Sequence, residues 1–285
     1  MGTTREMKRR TIFLLSLAAV LAAGAWAYLY LVKYDIRREQ LALHDVTRNR
    51  DVPVELAISR RAELKSKVLG IKPRLAIVNH GNTVKNTEYG FIGNVLATQG
   101  YLVAAIQHDL PSDPPLSMQG FPFLGRLPSY QRGEQNILFV LQELKRLYPA
   151  SEFRTVTLFG HSQGGDIAMY FAGHHPELAT KVVTLDNIRV PLLMSGRARI
   201  LSLRSSNFRP DPGVVPSDEA SEDAGIEVVK TDFQHDHFSD RGPDSVKEKV
   251  REVIARFIAE DKPPKRSSTR QSNSVSATYP PSQIN

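Results

Sequence analysis

The residues best suited to chemistry are Gly160-His161-Ser162-Gln163-Gly164, a G-x-S-x-G pentapeptide between the apolar run Val156–Phe159 and an amphipathic segment. At a strand-to-helix turn of this type the serine sits on strained backbone and its hydroxyl projects above the sheet. Gly160 and Gly164 suit such a turn because a Cβ at either position would meet neighbouring backbone. Gly165 extends the tolerance for close packing, and Asp166 suits the positive end of the following helix. The bland alternative is a glycine-rich turn with an incidental serine.

A serine alcohol attacks a carbonyl only when a base takes its proton and a third group orients that base. With a G-x-S-x-G elbow the partners follow in the order acid, then histidine. After the run Ile200–Leu203 comes a turn-rich stretch holding Asp211, and after Ile226–Lys230 comes Gln234-His235-Asp236-His237-Phe238. His235 is favoured as base over His237, because it stands earlier in the loop with an aromatic residue three positions on. Asp211 is favoured as acid over Asp186, which ends the preceding strand candidate. Attack also creates a negative oxygen that needs donors already in place. Leu75–Asn79 runs into a His80-Gly81-Asn82 turn, and the backbone N–H of Asn82 pairs naturally with that of Gln163 for this task.

The elements that must position these groups alternate along the chain. Strand candidates are residues 52–59, 74–79, 101–107, 155–159, 181–185, 199–203 and 225–230, most of them continuous apolar runs, as expected of strands covered on both faces. Helical patterns fall at 87–99, 130–147, 163–174 and 243–260. Strands alternating with helices imply βαβ crossovers and a mostly parallel sheet in one α/β domain. Residues 45–59, with no helix expected before the next strand, read as an antiparallel start. The connection 108–129, rich in Pro and Gly, is expected to be a loop that rims the site, and there is little room between Asp186 and Arg199 for a helical cap.

The ends differ from the body. Thr11–Val32 contains no charge and is flanked by Lys8, Arg9 and Arg10 on one side and Lys33 on the other. Its 22 residues would reach about 33 Å as a helix, enough to cross a bilayer core. Basic residues before it favour an exported body. Two fates compete: an uncleaved membrane anchor, or a signal peptide cleaved after Ala27 in Ala25-Trp26-Ala27. The expected organisation is residues 1–38 as anchor or signal peptide, 39–261 as catalytic domain and 262–285 as a disordered basic tail. The chain carries 37 basic and 30 acidic residues, but residues 39–261 hold 26 and 28, so the positive excess lies in the tails. A nucleic-acid-binding face would concentrate that charge in the folded body, so no nucleic-acid partner is expected.

The absence of cysteine excludes disulfides, a thiolate nucleophile and zinc-finger sites. No H-E-x-x-H or G-x-G-x-x-G motif occurs, and His174-His175 and His235-x-His237 lack a carboxylate-rich frame, so neither metal nor cofactor is expected.

The G-H-S-Q-G elbow, the His80-Gly81 turn, Asp211-Pro-Gly-Val-Val-Pro and the His235 loop together resemble the α/β-hydrolase superfamily. The opening Asp45–Leu56 is similar to first strands of bacterial esterases of the dienelactone-hydrolase and chlorophyllase type. The likeness spans about residues 42–260. It implies an eight-stranded, mostly parallel sheet flanked by helices, with Ser162 as nucleophile, His235 as base, Asp211 as acid and Asn82 and Gln163 as oxyanion donors. Gln234-His235 departs from the family's common Gly-His pairing, which leaves His235 and His237 in competition. The implied activity is hydrolysis of a small-molecule carboxylic ester through an acyl-enzyme. Cleavage of an amide, thioester or lactone by the same groups, and a non-catalytic membrane-tethered binding protein on the same scaffold, are the alternatives.

Overall fold

The computed structural model describes residues 2–116 and 122–260. Its centre is an eight-stranded sheet: β1 (Ile36–Asp45), β2 (Arg50–Ser59), β3 (Arg74–Asn79), β4 (Tyr101–Ile106), β5 (Val156–His161), β6 (Ala179–Leu185), β7 (Arg199–Arg204) and β8 (Glu227–Lys230). The spatial order is β1-β2-β4-β3-β5-β6-β7-β8. β1 and β2 form an antiparallel hairpin, β2 pairs antiparallel with β4, and all later pairings are parallel. Apart from the exposed Arg74 that opens β3, the interior strands β3, β4 and β5 are mostly apolar and buried along their length, as strands covered on both faces must be. β8 differs: it is a four-residue edge strand whose side chains are half-buried or exposed.

Helices α3 (Gly90–Thr98) and α7 (Asp244–Ala259) cover one face with Phe91, Ile92, Val250, Ile254 and Phe257. Helices α4 (Pro122–Leu147) and α5 (Gln163–His174) cover the other with Tyr130, Ile137, Ile167 and Phe171. Among the described residues, no helix lies between Asp186 and Arg199, in keeping with the short connection there.

The structure adds three elements to those expected. β1 begins at Ile36 and was missed because it is edge-lying and little buried, with the charged Arg37, Arg38 and Glu39 following one another near its start. Helix α2 (Arg60–Leu69) does intervene between β2 and β3; it is ten residues long, capped by the Ser59 hydroxyl and ended by Gly70 at φ 66°. Helix α6 (Asp218–Ala224) fills the step between β7 and β8. The expected loop 108–129 is also shorter, because α4 starts at Pro122. Proline at a first helical position loses no intrahelical bond, so it can open a helix as well as break one. Residues 117–121 of that connection and the expected tail 262–285 lie outside the described residues.

Ahead of the sheet runs α1 (Gly2–Leu31), whose segment Glu6–Leu31 is long and apolar enough to cross a membrane. It joins the domain at one end of the sheet. Ile36 pairs with Ser59, and β2 runs against β4, so this junction lies at the amino ends of the parallel strands.

Candidate active site

β5 ends at His161, and Ser162 follows it directly into α5 with φ 53° and ψ −120°, a left-handed conformation that costs a non-glycine residue about 1–3 kcal/mol. The fold holds it there from both sides: its N–H donates to the Leu185 carbonyl (2.9 Å), and its carbonyl accepts from the Asp166 N–H (3.1 Å). The turn is tight enough that a Cβ on Gly160 would lie 2.0 Å from the Gly164 carbonyl oxygen, and one on Gly164 would lie 2.1 Å from that of Asn79. The backbone, not the side chains, makes this elbow.

Strand register then gathers the partners. His161 pairs with Leu185, so Ser162 and Asp186 are the residues that leave the sheet side by side. Leu185 pairs with Leu203, which brings Arg204 and Ser205 to the same edge. The side chain of Asp186 is fully buried, and its backbone, like that of Ser162, is left-handed, with φ 60°. Its Oδ2 accepts from His235 Nδ1–H (2.5 Å) and from the Ser205 hydroxyl (2.5 Å), while Oδ1 accepts from the Ser205 N–H (3.1 Å). Arg204 Nη2 lies 3.1 Å from Oδ1 as an ion pair. Burial pushes the Asp186 pKa up, but the hydrogen bonds from His235 and Ser205 and the Arg204 charge outweigh it and hold the carboxyl below its usual range.

The structure does not bring Asp211, the acid favoured from sequence, to His235; the carboxylate bonded there is Asp186, the alternative. Asp211 is 37% exposed and lies 3.9 Å from the Arg189 Nε, and its N–H is spent on the Ile188 carbonyl. Beyond β7 the position beside the histidine is taken by Ser205, and the chain has turned away before Asp211 is reached.

His235 opens a short 3₁₀ turn, His235–Phe238, after β8. Its ring stacks on Phe208 (4.4 Å, 26°) and faces the ring of His161 at 4.8 Å. Its N–H donates to the side chain of Asn207 (2.8 Å). His237 points into its own turn, with Nδ1 accepting from the Gln234 N–H (3.4 Å). Asp186 is thus paired with His235, the histidine favoured from sequence.

One residue of the site was not anticipated. His161, the variable second position of the pentapeptide, is buried and bonds at both ring nitrogens. Nε2–H donates to the His235 carbonyl (2.9 Å), and Nδ1 accepts from the Tyr89 hydroxyl (2.9 Å), whose oxygen in turn accepts from the Gly81 N–H (2.9 Å). This tautomer follows from the partners, since a carbonyl can only accept. Burial, reinforced by the neighbouring His235, pushes the His161 pKa down to about 3. Three bonds in series thus tie the Gly81 turn, the elbow and the His235 loop together.

Asn82 and Gln163 stand in matched places. Asn79 pairs with Gly160, and each residue lies three positions beyond its member of that pair. The turn carrying Asn82 is closed by the Val84 N–H donating to the Gly81 carbonyl (3.2 Å), and a Cβ on Gly81 would lie 2.9 Å from His161 Nδ1. Gln163 opens α5, so its N–H is among the first-turn donors without an intrahelical acceptor. The Gln163 side chain reaches Asp109 (3.4 Å), which Arg132 holds at 2.6 Å. Beside Asn82 opens a cleft of about 270 Å³ lined by His80, Lys85, Gln107, Asp109 and Leu116 among others.

His174 and His175 both bond Glu134 (2.9 and 3.0 Å), and among the described residues no three His, Asp or Glu side chains gather as a metal-ligand group.

No family model matches the chain, and no curated protein is detectably similar in sequence. Solved structures are similar in fold. A ferulic acid esterase from Streptomyces cinnamoneus matches with TM-score 0.56 and 19% identity over 83% of this chain and 94% of its own. A dienelactone hydrolase-like promiscuous phosphotriesterase from metagenomic libraries gives 0.55 and 14% over 79% and 98%. A putative dienelactone hydrolase from Klebsiella pneumoniae gives 0.51 and 18% over 79% and 99%. Sheet order, elbow and these likenesses agree: the chain has the α/β-hydrolase fold.

Proposed function

We propose that the protein is a serine hydrolase that cleaves a small-molecule carboxylic ester through an acyl-enzyme on Ser162. The observation that carries this reading is the Asp186–His235 hydrogen bond of 2.5 Å, placed where register brings Asp186 out of the sheet beside Ser162. The esterase and dienelactone-hydrolase names of the structural neighbours support the same class.

In this reading His235 Nδ1–H stays on Asp186, which leaves Nε2 free to take the Ser162 proton as Oγ attacks the carbonyl carbon. The oxygen that becomes negative is received by the N–H groups of Asn82 and Gln163, donors fixed before the charge develops. His235 then protonates the departing alcohol, and the acyl group remains on Ser162. A water deprotonated by the same nitrogen attacks the acyl-enzyme, and the acid leaves with Ser162 restored. Asp186 keeps its charge throughout. Its role is to hold the imidazole and to stabilise the imidazolium, and Arg204 and Ser205 fix it for that purpose.

The test is labelling by a fluorophosphonate probe together with turnover of a p-nitrophenyl ester. The parent chain should react with both, and Ser162→Ala should lose both. A variant that still labels would remove Ser162 from the nucleophile role. For localisation, α1 is read as an uncleaved span that leaves the hydrolase domain outside the inner membrane or cell.

A further inference from the structure

The cleft and the Asp186–His235 pair occupy the carboxyl ends of the parallel strands, and the opposite end of the sheet carries a different chemistry. There α1 meets the domain: the Arg61 N–H donates to the Val32 carbonyl (3.1 Å) and the Arg60 N–H to that of Asp35 (2.8 Å). The first turn of α2 is therefore bonded to the chain just past the apolar segment. Ten residues of α2 span about 15 Å, and the chain returns at Arg74 to the same end of the sheet, where Arg74 pairs with Tyr101. All of residues 60–74 stay close to the junction.

The composition of this stretch is unlike the rest of the domain. Residues 60–74 hold Arg60, Arg61, Lys65, Lys67, Lys72 and Arg74 against one carboxylate, Glu63, and that carboxylate is held by Arg37 at 2.9 Å. The rest of residues 39–261 holds 20 basic against 27 acidic residues, so the positive charge of this stretch stands out against a net negative body. The helix ends in Lys67-Val68-Leu69-Gly70-Ile71-Lys72, in which Val68, Leu69 and Ile71 are 74%, 63% and 51% exposed. Three exposed aliphatic side chains within four positions, set between lysines, match the headgroup boundary of a bilayer, where apolar tips sink and flanking cations meet phosphates. A recess of about 180 Å³ at the same end of the sheet is lined by Arg61 and Lys65 with Thr98 and Gly100. Helix α7 also ends here: Arg199 Nη1, at the start of β7, donates to the Glu260 carbonyl (2.5 Å).

We infer that the amino end of the sheet is a docking face for an anionic phospholipid bilayer, with Val68, Leu69 and Ile71 set into the headgroup layer. The inference rests on the reading of α1 as an uncleaved span. It also orients the enzyme. β5 is six residues long, so the elbow stands about 20 Å from the docking face, and its mouth points away from the lipid. The ester then comes from the aqueous phase beyond the membrane, and phospholipid of the supporting bilayer stays out of reach.

The absence of cysteine allows a direct test with the full chain. Leu69→Cys and Ser112→Cys, one at each end of the sheet, are labelled with an environment-sensitive nitrobenzoxadiazole dye and reconstituted in equimolar phosphatidylglycerol–phosphatidylcholine vesicles. The dye at position 69 should shift to the blue and be quenched by doxyl-labelled lipid, while the dye at 112 should stay unquenched in water. Quenching at 69 should weaken in vesicles of phosphatidylcholine alone, and in a Lys65→Glu, Lys67→Glu, Lys72→Glu variant. A dye at 69 as wet as that at 112, quenching at 112, or equal quenching in both lipids would overturn the proposal. So would concentration-dependent burial of position 69 in detergent, which would mark a second protein copy as the occupant. None of these readouts uses turnover, so Ser162→Ala should give the same quenching pattern even if the esterase reading fails.

Discussion

Asp186 satisfies four demands at once: it holds the His235 ring, receives two bonds from Ser205, balances Arg204 and tolerates a left-handed backbone. Its replacement separates the two candidate acids cleanly. Asp186→Asn should lower kcat by roughly 10³–10⁴-fold on a p-nitrophenyl ester, because an amide cannot hold the imidazole in the required tautomer. Asp211→Asn should leave kcat near the parent value, since that side chain faces Arg189 and solvent. The reverse order would return the acid to Asp211. Sequence alone could not decide this. Asp186 and Asp211 each follow a strand, and parallel neighbours β6 and β7 deliver their carboxyl ends to the same place, so chain order is identical for both. His161 was illegible for another reason: nothing in the second position of a G-x-S-x-G pentapeptide signals that its ring would reach across to a loop 74 residues later. The elbow around Ser162 was legible because the glycine spacing is imposed by backbone collisions that no other residue type relieves.

At the scale of elements, α5 is joined to the strand end that supplies Asp186 by Asp166. Its Oδ1 accepts from the N–H groups of Ile188 (3.0 Å), Arg189 (2.8 Å) and Val190 (2.9 Å), and Oδ2 lies 3.4 Å from the Tyr130 hydroxyl. One carboxyl, four residues beyond Ser162, thus clamps α5 to the loop just past Asp186. Burial pushes its pKa up to about 6, against the pull of those three N–H groups. A raised carboxyl pKa contributes stability below the unfolded value near 4 and loses it as pH rises through about 6. Asp166→Asn keeps an acceptor at Oδ1 and removes the ionisation, so its Tm relative to the parent should improve between pH 5 and pH 8. Asp166→Leu leaves three donors without a partner, at about 1–3 kcal/mol each where they are buried, and should lower Tm at every pH. A Tm difference between Asn variant and parent that does not change with pH would count against the ionised clamp. Most elements were legible from their apolar periods. β1 and α2 were not, because an edge strand with a wet face and a short, highly charged helix carry too little burial to imprint a period. The start of α4 was hidden because Pro122 and Pro128 read as loop residues.

For the whole molecule, three histidines lie buried beneath the cleft: His80, His108 and His161. Burial depresses each of their pKa values, that of His161 to about 3. A depressed histidine contributes stability that is complete above its unfolded pKa near 6.5 and is withdrawn as pH falls toward the folded value. The urea midpoint should therefore drop steadily below pH 6.5, and His161→Gln should reduce that slope. An equal slope in parent and variant would show that this ring is not among the groups responsible.

His235, the proposed base, stands at a weak margin of the sheet. β8 is four residues long, lies at the edge and buries little of its side-chain surface; the His235 loop follows it, tied to the ends of β7 and β5 by the Ser206 N–H to Phe233 carbonyl bond and the His161 strap. Strands of that kind open at a lower free-energy cost than the interior. Catalysis should consequently switch off before the protein melts: along a urea titration, ester turnover should disappear while far-ultraviolet ellipticity still reports a native fold, and dilution should restore it without a refolding lag.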